Sequence, residues 1–221
     1  MGQKVNPTVL RLGVIYNWSS RWFDNKRYST ILMQDYKLRK SLLERLKFAG
    51  IALVEIERSI NSVKIILHVS RPGMVIGRAG TGLEELKKFI AGIILLPGQK
   101  GKNAPKVEIV VEAVREPNLD AFLVAKIVAE QLAKRLPYKR VLGQNSDRVM
   151  QSGARGVRIV LSGRIGGSEI GRREKIQLGK VPLSTIREKI QYAQVPSLTK
   201  KGYIGVKVWI NAGDKKVAGE R

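Results

Sequence analysis

The stretch Val75-Ile76-Gly77-Arg78-Ala79-Gly80-Thr81-Gly82-Leu83 constrains this chain more than any other. Residues 63–70 before it read as an apolar strand; after it Leu83, Leu86, Phe89 and Ile90 recur at helical spacing. Strand, glycine loop and helix must therefore follow one another. Two glycines three apart let the backbone come close to a ligand, and the free N–H groups of the helix start favour an anion there. Arg78 adds a cation to the same loop. The same residues also suit a tight turn that binds nothing. A nucleotide P-loop is excluded, because no Gly-Lys-Ser/Thr closes the span, and Gly80-Thr81-Gly82 lacks the third glycine of a dinucleotide fingerprint.

Around this loop the pattern alternates between the two periods. Asp35 reads as an N-cap for a helix carrying Leu38, Leu42, Leu43 and Leu46, with Gly50 just past its end. Residues 51–58 and 63–70 read as strands joined by a turn at Asn61-Ser62, and 106–114 as another strand after a Gly/Lys/Pro loop at 97–105. Pro117-Asn118 opens a helix to about residue 135, and 138–151 continues as a second, weakened at Gly143. Strands are expected at 156–164 and, after Gly166-Gly167, at 169–177; another at 203–210 sets Ile204, Val206, Val208 and Ile210 on one face. Residues 185–193 fit helix and strand equally well. A domain boundary is expected at 114–118. The class is α+β.

Charge limits the partner. The chain has 41 Lys and Arg against 18 Asp and Glu, a formal net charge of +23, yet 43% of it is hydrophobic. A folded body with that excess repels itself unless it lies beside a polyanion. Membrane binders gather such charge on one amphipathic helix, whereas residues 1–112 hold 19 basic and 9 acidic residues and 113–221 hold 22 and 9. No apolar leader or membrane-length run is visible, so the expected place is the cytoplasm, with no membrane partner. The chain has no Cys and a lone His68, and Glu84 and Glu85 diverge by about 100° on a helix. No catalytic residue, metal site or cofactor is expected, which disfavours a nucleic-acid enzyme. Lys4, Arg11, Arg21, Lys26 and Arg27 alternate with Tyr16, Trp18, Trp22, Phe23 and Tyr28 near the N-terminus, so this arm either grips RNA or is pinned to the body by its aromatics. Arg155, Arg158, Arg164, Arg172, Arg173 and Lys175 cluster around Gly166-Gly167 and read as a phosphate-gripping surface. Glu169 more naturally orients an arginine, and His68 and Trp209 read as packed strand residues.

Gly77-Arg78-Ala79-Gly80 is the GXXG arrangement of the KH fold, which clamps single-stranded nucleic acid by its backbone. Five collinear blocks extend the likeness. Gly2-Gln3-Lys4-Val5-Asn6-Pro7 with Arg11-Leu12-Gly13, and Ser70-Arg71-Pro72-Gly73-Met74-Val75-Ile76-Gly77, resemble the bacterial family of small-subunit ribosomal protein three. So do Gly153-Ala154-Arg155-Gly156-Val157 running on to Ile170, Gly179-Lys180-Val181-Pro182-Leu183, and Gly205-Val206-Lys207-Val208-Trp209-Ile210. The resemblance implies an arm with a short helix at 1–34, a type II KH domain (αββααβ) at 35–116, a second domain of two helices on a four-stranded sheet at 117–212, and a basic tail at 213–221. It turns 185–193 into a short turn and then a strand. It implies binding to small-subunit ribosomal RNA, to messenger RNA at its entry channel and to neighbouring ribosomal proteins of the head, rather than a free KH regulator. The helix facing the message would be 138–151, with Lys139, Arg140 and Arg148 as its cations. Two positions that are often basic in the family are Gly143 and Gln144 here, which leaves fewer charges for unwinding structured messages.

Overall fold

The computed structural model describes residues 4–94 and 106–213, which fall into two compact units. Trp18–Arg115 form one; Met1–Asn17 together with Glu116–Arg221 form the other. The loop at 97–105 and the tail beyond Gly213 lie outside the described residues.

In the second unit, the first described element is α1 (Pro7–Leu10), whose N-cap Asn6 accepts a hydrogen bond from the Thr8 amide at 2.9 Å. This corrects the expectation of one N-terminal arm. Residues 4–17 belong to the unit built mainly by the C-terminal half, and residues from 18 onward belong to the other.

That other unit starts with β1 (Ser20–Arg21) and α2 (Tyr28–Arg45), then β2 (Ile51–Arg58), β3 (Ser62–Val69), α3 (Pro72–Ile76), α4 (Thr81–Ile94) and β4 (Lys106–Ala113). From α2 to β4 the order is αββααβ, the type II KH arrangement. The sheet runs β1-β2-β3-β4, with β2 antiparallel to β3 and β4 parallel to β3. Alternation puts Ile56, Val63, Ile65, Leu67 and Val69 on one face, where they meet Leu38 and Leu42 of α2 and Leu86 and Ile90 of α4. Each fully buried aliphatic side chain there stabilises the fold by about 1.5–3 kcal/mol. The residue pattern alone places no helix before the glycine loop; the one that the αββααβ order requires is α3, which starts on Pro72, whose ring suits a first helical position and whose missing N–H costs nothing there. One expectation changes. Asp35 caps nothing; it is buried in mid-helix, because α2 begins a full two turns earlier, at Tyr28.

The rest of the second unit comprises α5 (Ala121–Ala133), α6 (Tyr138–Gln151), β5 (Gly156–Gly163), β6 (Arg172–Gly179), β7 (Ile190–Thr199) and β8 (Gly202–Asn211). Asp120 starts α5, its Oδ1 accepting from the amides of Phe122 and Leu123. The sheet order is β6-β5-β8-β7, antiparallel throughout. Val124, Val128 and Leu132 of α5 and Val141 and Val149 of α6 close one face over Val157, Ile159, Leu161 and the four even residues 204–210. The ambiguous stretch 185–193 is turn and then strand, since β7 starts at Ile190.

Candidate nucleic-acid interface

The glycine loop sits between α3 and α4. Gly77 has φ +73° and Gly80 φ +81°, left-handed values that glycine adopts without a Cβ penalty. A Cβ on Gly77 would stand 3.0 Å from the Gly82 amide nitrogen, and one on Gly82 would stand 2.7 Å from the Val75 carbonyl oxygen. The turn is therefore packed backbone on backbone. A Cβ on Gly80 would meet nothing within 4 Å, so that side of the loop is open. Arg78 is exposed, and the Thr81 hydroxyl donates to the Arg78 carbonyl at 2.9 Å, fixing the start of α4.

Helix α6 presents its cations to solvent. Lys139, Arg140 and Arg148 are exposed, whereas Val141, Leu142, Asn145, Ser146 and Val149 are buried. Arg140, Gln144 and Arg148 share one face at four-residue spacing. Lys139 and Arg140 occupy the first turn, where Pro137 supplies no side-chain cap and no acidic residue is present. Cations there oppose the helix dipole at a cost of about 0.3–1 kcal/mol each. Among the described residues neither has a carboxylate partner, so this placement does not serve the helix. Lys134 and Arg135, exposed in the α5–α6 turn, extend the patch; the sequence reading passed over them, although two adjacent cations before a proline-ended helix were visible there.

The sheet of the second unit has a second face, turned away from α5 and α6. Strand alternation sends Arg173 and Lys175 of β6, Arg158 of β5 and Lys207 of β8 to it, and sends Arg172 and Glu174 the other way with Ile176 and Leu178. Arg158 lies with its guanidinium 5.2 Å from the Trp209 ring centre, and Tyr192 stands 5.1 Å from the same ring. Val181 and Leu183 pack over this end of the face, giving a small outer cluster with Val160, Ile190 and Trp209. Burial there pushes the Tyr192 hydroxyl up from its ordinary range. Arg164 lies beyond β5, its Nε donating to the Ser168 carbonyl at 2.8 Å, and Arg155 precedes β5, 3.7 Å from Glu188.

The side chains of three N-terminal cations, Lys4, Lys26 and Arg27, are exposed and make no ion pair among the described residues. Two others differ. Arg21 pairs with Glu55 at 2.6 Å and Glu57 at 2.7 Å, so its charge is neutralised within the first unit's sheet. The hydrogen bond from His68 is the main reason the Glu55 carboxyl titrates below its ordinary range; burial works against it, and the charges of His68 and Arg21 add to the lowering. Arg11 has 0% of its surface exposed. Its Nε donates to the Glu188 carbonyl at 2.7 Å, Nη1 to Pro7 at 2.9 Å, and Nη2 to Leu183 at 3.1 Å and Thr185 at 2.7 Å. Desolvation lowers its pKa, opposed by Tyr16 and Glu188. The expectation that Arg11 grips RNA is therefore corrected: it is an internal tie. Among the described residues no group of three or more His, Cys, Asp or Glu could hold a metal ion, and no helix is long and apolar enough to cross a membrane.

An αββααβ unit with a GXXG loop, joined to a basic unit of two helices on an antiparallel sheet, defines a protein of the KH type. Comparison with known families agrees: a KH domain model matches residues 37–119, and the model for the ribosomal protein S3 C-terminal domain matches residues 128–210. The chain is 46% identical over 222 residues to small ribosomal subunit protein uS3 of Desulfitobacterium hafniense, covering 99% of this chain and 97% of that one. It is 42% identical to uS3 of Caldicellulosiruptor saccharolyticus, covering 97% and 93%, and 44% identical to uS3 of Exiguobacterium sibiricum, covering 97% and 94%. The chain belongs to the uS3 family, and is a structural constituent of the small ribosomal subunit rather than an enzyme.

Proposed function

We propose that the chain binds small-subunit ribosomal RNA with exposed cations of both units, and that α6 lies against messenger RNA where it enters the subunit. The observation that carries this reading is the first turn of α6. Lys139 and Arg140 stand there exposed, against the helix dipole and without a carboxylate partner among the described residues. A fold keeps cations in such a place when something outside the chain compensates, and a phosphate backbone does so. Arg148 continues the face of Arg140 about two turns along. Gly143 and Gln144 leave it with less charge than a helix bearing cations at every exposed turn, so its contribution to unwinding is modest. On the rRNA side the candidates are Lys4, Lys26, Arg27, Arg155, Arg158, Arg164, Arg172, Arg173 and Lys175, with neighbouring ribosomal proteins beside them. The work is done in the bacterial cytoplasm, inside the small subunit.

The test for α6 is translation by subunits carrying Lys139→Ala with Arg140→Ala. Reading through a stable message hairpin should slow several-fold more than reading of an unstructured message. Equal slowing on both messages refutes the entry-channel role.

The glycine loop, Gly77-Arg78-Ala79-Gly80, is read as a single-strand clamp. Gly80→Asp is the informative variant, because its Cβ meets open space and Asp tolerates left-handed backbone better than most residues. The fold should survive at a cost of about 1 kcal/mol. The added negative charge should weaken single-stranded RNA binding several-fold by filter or anisotropy titration. Unchanged affinity at equal helicity means that the loop is a turn only.

A further inference from the structure

The face of the second unit's sheet turned away from α5 and α6 has an order that its charge alone does not explain. Strand register lays it out in rows, with neighbours about 5 Å apart across strands and rows about 7 Å apart along them. Lys175, Val160, Lys207 and Gln194 form one row. Arg173, Ser162, Gly205 and Pro196 form the next, and Tyr203 and Leu198 face one another in the row beyond. Among the strand residues on this face there is no carboxylate. The middle row is low: Gly205 has no side chain, and a Cβ there would stand 3.1 Å from the Ser162 hydroxyl. Beside it Tyr203 and Leu198 stand 69% and 62% exposed, in contrast to Trp209 at the covered end, 8% exposed under Arg158. The covered end therefore uses its aromatic ring internally, and the open end leaves its ring free.

We infer that this open end is a platform for unpaired RNA, in which a base stacks on Tyr203 over the low Ser162–Gly205 row and the adjoining phosphates are held by Arg173, Lys175 and Lys207. The chemistry follows from the layout. A flat row flanked by cations, free of carboxylates and ending in an exposed ring, suits a base with its own backbone, whereas a duplex keeps its bases stacked inside and offers phosphates alone. The inference rests on the RNA-binding reading above and adds Tyr203 and Lys207 to it. Both were visible in the sequence, since Ile204, Val206, Val208 and Ile210 face the core and their odd-numbered neighbours must face away.

The experiment compares the full chain with Tyr203→Ala and Tyr203→Phe, using a labelled uridine oligonucleotide and a blunt RNA duplex of equal length as probes. Tyr203→Ala should weaken single-strand binding about tenfold, and Tyr203→Phe, which keeps the ring, should stay within about twofold. Duplex binding should stay within about twofold for both variants. Three results overturn the platform: Ala as good as wild type on the oligonucleotide, Phe as poor as Ala, or equal losses on both probes. A drop in melting temperature with unchanged affinity also overturns it, making Tyr203–Leu198 a hairpin-stabilising pair instead. Failure of the wild-type chain to bind small-subunit ribosomal RNA would sink the earlier reading; a neutral Tyr203→Ala in a chain that does bind it sinks this one alone.

Discussion

Arg11→Ala is expected to destabilise the second unit by about 3–5 kcal/mol, a large share of what a domain of this size commands. The guanidinium meets carbonyl oxygens of Pro7, Leu183, Thr185 and Glu188 with no exposed surface. Truncation leaves those buried acceptors without donors and opens a space between residues 4–17 and the 182–188 turn. Each abandoned acceptor costs about 1–3 kcal/mol when water cannot reach it. Arg11→Lys keeps the charge but cannot present a planar fork to several acceptors at once, so it should fall between wild type and Ala. Hydrogen exchange gives the local readout: amides of 4–17 and of the start of β7 should lose protection together in Arg11→Ala, while β2 and β3 of the other unit keep theirs. Stability equal to wild type, with RNA affinity reduced, would restore Arg11 to the RNA surface and refute the tie.

Arg11 also marks a limit of sequence reasoning. Arginine is seldom fully buried, so a cation in a basic N-terminal stretch is assigned outward on composition. Three of its acceptors, the carbonyls of Leu183, Thr185 and Glu188, lie more than 170 residues away along the chain, and nothing local announces them. A shorter but still non-local pairing hid β1, two residues that pair in parallel with Ile56 and Glu57 and bring Arg21 onto Glu55. What local pattern carries was readable. Residue pattern gave β2, β3, β4, β5 and β8 as strands, helical spacing put Leu38 and Leu42 of α2 and Leu86 and Ile90 of α4 on buried faces, and the resemblance carried by the collinear blocks gave the αββααβ order. The site was legible in part. The exposed cations of α6 and the open glycine loop lie where the sequence put them, because helix phase and glycine spacing are local properties. Which cations share a sheet face with Tyr203 needed the register across four strands, although alternation alone already separates Arg173 and Lys175 from Arg172 and Glu174.

Asp35 is the position at which a local rule was overridden outright, and it carries the second large effect. An Asp before a run of helical leucines reads as an N-cap, but α2 starts at Tyr28 and brings Asp35 onto the buried stripe with Leu38 and Leu42. There its carboxylate accepts from the Ser20 hydroxyl at 3.0 Å, the Trp22 indole N–H at 2.9 Å and the Arg58 Nε at 2.9 Å. The side chains of Asp35 and Arg58 keep 3% and 11% of their exposure, so neither charge has water to fall back on. Asp35→Ala should therefore cost about 3–5 kcal/mol, because it strands a buried guanidinium and the Trp22 donor. Asp35→Asn keeps an oxygen acceptor and should cost less. The diagnostic is the double variant. With Arg58→Met added to Asp35→Ala, the stranded charge is gone, and the pair should recover at least about 1 kcal/mol of the summed single losses in denaturant unfolding. Strict additivity would show that the two groups do not depend on each other, and that Asp35 is held by Ser20 and Trp22 alone. Recovery would establish that Asp35 and Arg58 depend on each other, tying α2 to the end of β2 through the carboxylate that also accepts from Ser20 and Trp22.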